Sequence, residues 1–320
     1  MHLLFRRALA LGVLALLLPA SARAAPLVTP AELAARLAQP ELRVIDIRNG
    51  KDQAGRTPYD AGHIAGSLPA PYPSWRGPSD NPGALPPLAA LTERLQSLGI
   101  DAATPVVIVY AGTDATDFGA AARVYWTLKA HGVQAPAILS GGIAAWKAAG
   151  LPLATGAAPA VARSTFVPQP DPQLIATRAD VQQALQTKSG LLLDARPARF
   201  FLGQTRHAAA AAPGTIAGSR NVDNAVWFAK DSGALLDPDA VRKVAAAQSI
   251  DPSRPTVSFC NTGHWAATNW FVLSEVLGQK NVSLYPESMV EWSRSGGPMD
   301  NVPSRLYQFW LQLKEATGNL

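Results

Sequence analysis

The chain of 320 residues contains one cysteine, Cys260. It follows the apolar run Thr256-Val257-Ser258-Phe259 and precedes Asn261-Thr262-Gly263, with a helical stretch starting near His264. In an open α/β sheet, a side chain at the carboxyl end of a parallel strand lies in the ligand crevice. A helix N-terminus beside it offers unpaired N–H groups and a partial positive charge. That setting favours the thiolate of a cysteine, whose unperturbed pKa is about 8.5. Gly263 is expected to let the loop curl, so that several N–H groups face one sulfur or anion. The chemistry open to such a cysteine is nucleophilic. His264 is read either as a source of positive charge or proton transfer, or as a solvent-facing residue at the helix start. Trp265 is expected to wall the pocket or pack in the core. A single cysteine allows no intramolecular disulfide and no Cys-rich zinc site.

The elements that must position this loop occur twice. Leu42 to Arg48 is a buried-strand run ending in Asp46-Ile47-Arg48, and Leu191 to Arg196 ends in Asp194-Ala195-Arg196. Gly62-His63-Ile64-Ala65-Gly66-Ser67 is answered by Gly214-Thr215-Ile216-Ala217-Gly218-Ser219. The strand Val106 to Tyr110 pairs with Thr256 to Phe259, and Trp146 with Pro152 pairs with Trp292 with Pro298. Four landmarks in one order at nearly constant spacing argue for a duplicated domain. Helices are expected over Pro30 to Ala38 and Thr177 to Leu185, with Thr29 and Thr177 as N-caps. Others are expected over Ala120 to Ala130 and Trp265 to Leu277. Strands separated by helices imply parallel pairing with right-handed crossovers. The Ala- and Pro-rich stretch from Leu151 to Pro172 holds the linker, with the units set at 25–155 and 173–320 around a linker at 156–172. The apolar stripe Leu306, Phe309, Trp310 and Leu313 suggests a final helix docked on the body.

Together these motifs resemble a tandem-domain rhodanese-type sulfurtransferase. The resemblance covers both halves. It is carried by the two Asp-x-Arg pairs, the two Gly-x-Ile-Ala-Gly-Ser segments, Cys260-Asn261-Thr262-Gly263, and Tyr285-Pro286-Glu287-Ser288-Met289-Val290-Glu291-Trp292. It implies two rhodanese-like α/β domains, each a parallel five-stranded sheet flanked by helices, with the catalytic cysteine in the second only. Ala111 stands opposite Cys260, and the first-half loop from Ala111 to Asp117 has two acids and no thiol. The first domain is therefore expected to be inactive.

The implied reaction is a two-step transfer without metal or organic cofactor. Cys260 takes the sulfane sulfur of thiosulfate or 3-mercaptopyruvate as a persulfide. It then gives the sulfur to cyanide or a thiol. The N–H groups of Asn261 to Trp265 would cradle the persulfide as an oxyanion hole cradles oxygen. Thiosulfate users of this family often carry a basic residue two positions after the cysteine, where this chain has Thr262. Mercaptopyruvate users often carry a small hydroxyl residue there. Arg199 is the expected donor-binding cation, in competition with Phe200 for that position. Asp194 with Arg196, and Asp46 with Arg48, are expected to be structural pairs, and His63 a structural residue.

Rival readings are weaker. A cysteine phosphatase needs an arginine closing a C-x5-R loop, and Ala266 stands there. A non-enzymatic sulfur carrier, or a soft-metal module using Cys260 and His264, has an incomplete ligand set.

Composition narrows the setting. A chain 48% hydrophobic and 16% charged is neither disordered nor polytopic in a membrane. Residues 1–24 read as an export signal, with Arg6 and Arg7, an apolar run to Ala20, and small residues at Ala22 and Ala24 for cleavage after Ala24. The run is short for a bilayer span, so no stable membrane insertion is expected after cleavage. The expected location is the periplasm. Removing the three arginines of this segment leaves 25 basic residues against 23 acidic, near neutrality at +2. With no Lys/Arg-rich run, nucleic acid is not an expected partner.

Overall fold

The computed structural model of the protein describes residues 25–304 other than 231, together with residues 306, 307, 310 and 313. The export signal expected over residues 1–24 lies outside them, as does Phe309 of the C-terminal stripe. Of that stripe, Leu306 is 84% exposed, and Trp310 and Leu313 are each about half exposed. The described part of the stripe is thus not buried against the body, contrary to expectation. Among the described residues, no helix is long and apolar enough to cross a membrane.

The first half supplies β1 (Leu27–Val28), β2 (Arg43–Asp46), β3 (Leu68–Pro69), β4 (Val106–Val109) and β5 (Pro136–Leu139). They form one all-parallel sheet in the order β1-β5-β4-β2-β3. The second half supplies β6 (Leu191–Asp194), β7 (Thr215–Ile216), β8 (Arg220–Asn221), β9 (Thr256–Phe259), β10 (Val282–Leu284) and β11 (Met299–Asp300). Its parallel sheet runs β10-β9-β6-β8, while β7 and β11 pair antiparallel beside it. Five strands were expected in each sheet. In the second, the fifth is reduced to a single parallel bridge between Ile175 and Leu284. Pro286, placed as Ser140 is when it donates to the Val28 carbonyl in the first sheet, has no N–H to lengthen the bridge into a ladder. The inner strands read as unbroken apolar runs because helices cover both faces.

The helix signals act locally. Thr29 with Glu32, and Thr177 with Asp180, close reciprocal capping boxes on the helices Pro30–Ala34 and Arg178–Thr187. The helix Ala115–Ala130 starts earlier than its apolar pattern suggests, because Asp114 accepts from the Asp117 N–H and caps it. The helix Trp265–Phe271 gives way to a π-helical stretch, Val272–Val276. The segment from Leu151 to Pro172 contains no helix or named strand, yet it is tied to the first half. Ser164 Oγ donates to the Ile100 carbonyl at 2.6 Å, and the Asp171 N–H donates to the Ala130 carbonyl at 2.8 Å.

The sequence repeat is also a repeat of hydrogen bonds. Arg48 Nη2 meets the Asp46 carboxylate at 2.6 Å and the Gly62 carbonyl at 2.7 Å; Arg196 Nη2 meets Asp194 at 2.6 Å and the Gly214 carbonyl at 2.8 Å. Trp146 Nε1 donates to the Pro152 carbonyl, and Trp292 Nε1 to the Pro298 carbonyl. Each Asp–Arg pair ties the end of a central strand to the following Gly-x-Ile-Ala-Gly-Ser segment. The pair is buried in both halves, more completely at Asp194 and Arg196, where desolvation is offset by the extra hydrogen bonds.

One apolar cluster runs through both halves. The helix Ala115–Ala130 is buried on nearly every side, because it lies between its own sheet and the helix Trp265–Phe271. Tyr125 and Phe118 meet Phe271 edge-on, with centroids 4.9 and 5.6 Å apart, and Phe118 also meets Phe228 at 5.3 Å. Phe118 is therefore part of a core shared by the two halves. Phe118→Ala is expected to cost about 3–5 kcal/mol in urea unfolding followed by tryptophan fluorescence, with the signals of both halves moving together. A cost under about 1 kcal/mol would show that the halves do not share this core.

Candidate active site

Cys260 stands immediately after β9, 1% exposed, at the carboxyl end of the sheet. The loop that follows is held from several sides. The N–H groups of Cys260 and Gly263 both donate to Ser288 Oγ, at 3.0 and 3.2 Å, and that hydroxyl donates to the Tyr285 carbonyl at 2.7 Å. Ser288 adopts φ +52°, a left-handed conformation at the start of the helix Ser288–Arg294. This turn aims the next two N–H groups back at the loop. Met289 N–H donates to the Cys260 carbonyl and Val290 N–H to the Asn261 carbonyl, both at 3.1 Å. Arg196 Nη1 adds a bond to Asn261 Oδ1 at 3.3 Å, linking the Asp194–Arg196 pair to the loop.

The first half supplies the other side. Arg123, buried in the helix Ala115–Ala130, donates to the carbonyls of Gly263 (3.3 Å), Thr262 (3.4 Å) and Gly83 (2.8 Å). Burial, reinforced by the nearby Arg76, pushes its guanidinium down to about 9, which leaves it cationic near neutrality. Arg76 Nη2 donates to the Thr262 carbonyl at 2.8 Å, and its Nη1 to the Tyr72 hydroxyl at 3.0 Å. Gly263 has φ +66°, and a Cβ there would strike Arg123 Nη1 and the Pro286 carbonyl. Only glycine fits between them. Gly119 serves the same purpose for His264, whose ring lies 3.0 Å from the point where a Cβ would stand.

His264 is fixed by both ring nitrogens. Its Nε2 faces the Thr116 carbonyl at 2.7 Å, which can only accept, so Nε2 carries the proton. Nδ1 then accepts from the Tyr72 hydroxyl at 2.7 Å. Burial pushes the Tyr72 phenol up, so it keeps its proton for this bond. Burial first, then Arg76, holds His264 down to about 4. His264 is therefore neutral near pH 7 and turned toward the first half. This corrects the reading of His264 as a source of positive charge or as a solvent-facing residue. It also removes the imidazole from a shared metal site with Cys260. Among the described residues, no group of three or more His, Cys, Asp or Glu side chains is arranged to hold a metal.

The expected cradle is narrower than the full run of Asn261 to Trp265. Gly263 N–H is taken by Ser288. The N–H groups of Asn261, Thr262, His264 and Trp265 have no protein acceptor among the described residues. Trp265 donates from Nε1 to Thr116 Oγ1 at 3.1 Å and meets Phe200 edge-on at 5.7 Å. Arg199 is exposed, with its guanidinium 5.5 Å from the Phe200 ring centre. Among the described residues no hydrogen bond joins its side chain to the loop. His63 is buried, stacked on Tyr59 at 3.8 Å and bonded through Nδ1 to the Tyr59 carbonyl, a structural placement.

The equivalent loop in the first half is filled. There Asp117 Oδ2 accepts from the N–H of Gly112 (2.6 Å), the N–H of Thr113 (3.1 Å) and the Thr113 hydroxyl (3.3 Å). A carboxylate of the chain itself occupies the N–H groups at the end of β4. At the end of β9 no side-chain carboxylate takes the corresponding N–H groups of Asn261 and Thr262.

Sequence reading missed Arg123, Arg76, Tyr72 and Thr116, all supplied by the other half of the chain. Arg123 had one available signal: it is the single charge in an otherwise apolar stretch from Phe118 to Leu128.

A family model for the rhodanese-like domain matches residues 29–149 and 177–295. A protein of Synechococcus elongatus named "Putative thiosulfate sulfurtransferase" is 29% identical over 291 residues, covering 87% of this chain and 86% of that one. The 3-mercaptopyruvate sulfurtransferase of Rattus norvegicus is 32% identical over 216 residues, 67% of this chain and 71% of its own. The crystal structure of SseA from Escherichia coli, a 3-mercaptopyruvate sulfotransferase of the rhodanese fold by its description, superposes with a TM-score of 0.71. It is 25% identical, and the match covers 82% of this chain and 98% of that one.

The state of His264 has a consequence for stability. The unfolded chain protonates this ring near 6.5, whereas the folded chain resists until about 4. Its contribution to stability is therefore complete above 6.5 and is lost as the pH falls from 6.5 to about 4. Thermal unfolding midpoints of the wild type are expected to fall across that window, with a shallower slope in His264→Gln. Equal slopes would show that His264 is not held neutral.

Proposed function

The chain belongs to the rhodanese-like family of sulfurtransferases, and from that premise we propose that it moves a sulfane sulfur through a persulfide on Cys260. The observation that carries this reading is the contrast between the two loops. Each gathers N–H groups at the end of a central strand. In the first half the Asp117 carboxylate satisfies them, and in the second the N–H groups of Asn261 and Thr262 have no acceptor among the described residues. A persulfide anion, or the anionic donor that delivers it, is the species such groups stabilise.

In the proposed cycle the Cys260 thiolate attacks the sulfane sulfur of the donor. With thiosulfate, the S–S bond breaks and sulfite leaves with the bonding pair. With 3-mercaptopyruvate, pyruvate leaves as its enolate and takes a proton. Cys260 then holds the second sulfur, and a thiol or cyanide attacks that outer sulfur and restores the thiolate. Thr262 Oγ1 has no hydrogen-bond partner in the described structure and is placed by this reading to donate to the incoming anion. Position 262 carries no charge of its own, so Arg199 is proposed to supply the cation that draws the donor in. No resident metal or organic cofactor takes part. The first domain is proposed to have no transfer activity of its own, and the enzyme to act in the periplasm after cleavage behind Ala24.

The direct test is thiocyanate formation from cyanide with thiosulfate and with 3-mercaptopyruvate, on wild type and Cys260→Ala. Turnover is expected with at least one donor and is expected to vanish in the variant. Arg199→Gln is expected to raise KM for the preferred donor by about tenfold with kcat little changed. Turnover surviving in Cys260→Ala would overturn the assignment.

A further inference from the structure

Cradle N–H groups must be aimed as well as left free. A peptide unit is planar and trans, so its N–H points opposite to its own C=O. Anchoring the carbonyl on one side of the loop therefore fixes the N–H on the other. The Asn261 N–H shares its peptide with the Cys260 carbonyl, which Met289 N–H holds. The Thr262 N–H shares its peptide with the Asn261 carbonyl, which Val290 N–H holds. Both anchors belong to the second domain. The His264 N–H shares its peptide with the Gly263 carbonyl, and Arg123 of the first domain holds that one.

We propose that the first domain is a working half of the site: Arg123, with Tyr72, aims the His264 N–H at the sulfur on Cys260. The proposal rests on the reading that Cys260 carries sulfur. Arg123 and Tyr72 act here as positioning residues, since neither side chain hydrogen-bonds the sulfur. The Arg123 side chain is fully buried, its hydrogen bonds go to backbone carbonyls, and its Nε has no partner in the described structure. A cation kept there at the cost of desolvation needs a function, and holding one carbonyl of the loop provides it. Tyr72 acts on the same residue from its other end. It and the Thr116 carbonyl grip both nitrogens of the His264 ring, so the residue bearing the third N–H cannot swing away. Gly263 and Gly119 are the clearances that let Arg123 and His264 sit this close. A first domain without a thiol is thus retained as the back wall of the loop.

The test loads Cys260 chemically, so that it does not depend on which donor the enzyme accepts. Methyl methanethiosulfonate caps the thiolate as a methyl disulfide and releases methanesulfinate. Hydrosulfide then attacks the Cys260 sulfur and displaces methanethiolate, leaving the persulfide. The only cysteine in the chain is the only site loaded. Protein labelled with 15N in Asn, Thr and His is compared before and after loading. In the wild type, the amide signals of Asn261, Thr262 and His264 are expected to shift. In Arg123→Met the His264 shift is expected to be lost while those of Asn261 and Thr262 remain. Arg123→Lys, which keeps a charged donor, is expected to restore it, and Tyr72→Phe to diminish it.

An absent His264 shift in the wild type overturns the proposal. So does a His264 shift unchanged in both Arg123→Met and Tyr72→Phe, and so does the loss of all three shifts together, which would mark general loosening. If Arg123→Met does not fold, Tyr72→Phe decides alone. Failure of the sulfur-transfer reading would appear separately, as absent turnover in a protein whose loop responses are intact.

Discussion

The structure depends on how a buried loop satisfies its carbonyls. Every backbone C=O taken from water needs a donor, and in the 260–264 loop each donor found also orients the N–H of the same peptide. Met289, Val290, Arg76 and Arg123 therefore do two things at once, while the Ser288 hydroxyl accepts from the Cys260 and Gly263 N–H groups. They remove the desolvation cost of the loop and keep its unused N–H groups together. The sheet, the shared core and the left-handed turn at Ser288 are what bring these five groups to one place.

Duplication explains why the partners come from both halves. The two units share the same Asp–Arg clamp and the same Trp-to-Pro carbonyl bond, so each brings a central strand to the same end point. They differ in what fills the loop there. Asp117 folds back onto Gly112 and Thr113 in the first, which makes that loop self-sufficient and closed to an external anion. The second loop carries a cysteine and borrows part of its support from the first unit. Freed from holding a ligand, the helix after the first loop packs its residues Phe118, Arg123 and Tyr125 against the second unit. Covering Cys260 also lowers access of water to the sulfur.

Much of the fold was legible because its signals are local. Thr29 and Thr177 announced helices through capping boxes, the apolar runs at Val106 and Thr256 announced buried strands, and the Asp-x-Arg pairs announced the clamp. The position of Cys260, between a strand and a helix with Gly263 in the turn, was legible for the same reason. The rest depends on contacts between residues far apart in the chain. Nothing near Tyr72 or Arg76 indicates that they will meet His264 and the Thr262 carbonyl. Ser288 lay within a motif already singled out, but its hydroxyl under the loop follows only from the left-handed turn. His264 was misread because its neighbours in sequence suggest solvent or an anion, whereas its neighbours in space are Tyr72, Thr116 and Gly119. The reduction of the second sheet's fifth strand to a bridge reflects Pro286, whose effect on pairing was not weighed against the symmetry of the repeat.

The central claim is that Cys260 is the sulfur carrier. It is tested most directly by intact-protein mass spectrometry after incubation with a sulfane donor and removal of the excess, followed by peptide mapping. The account predicts a gain of one sulfur atom, located on the peptide containing Cys260 and discharged by added cyanide. Unchanged mass with both thiosulfate and 3-mercaptopyruvate, or added sulfur that cyanide does not remove, would contradict it.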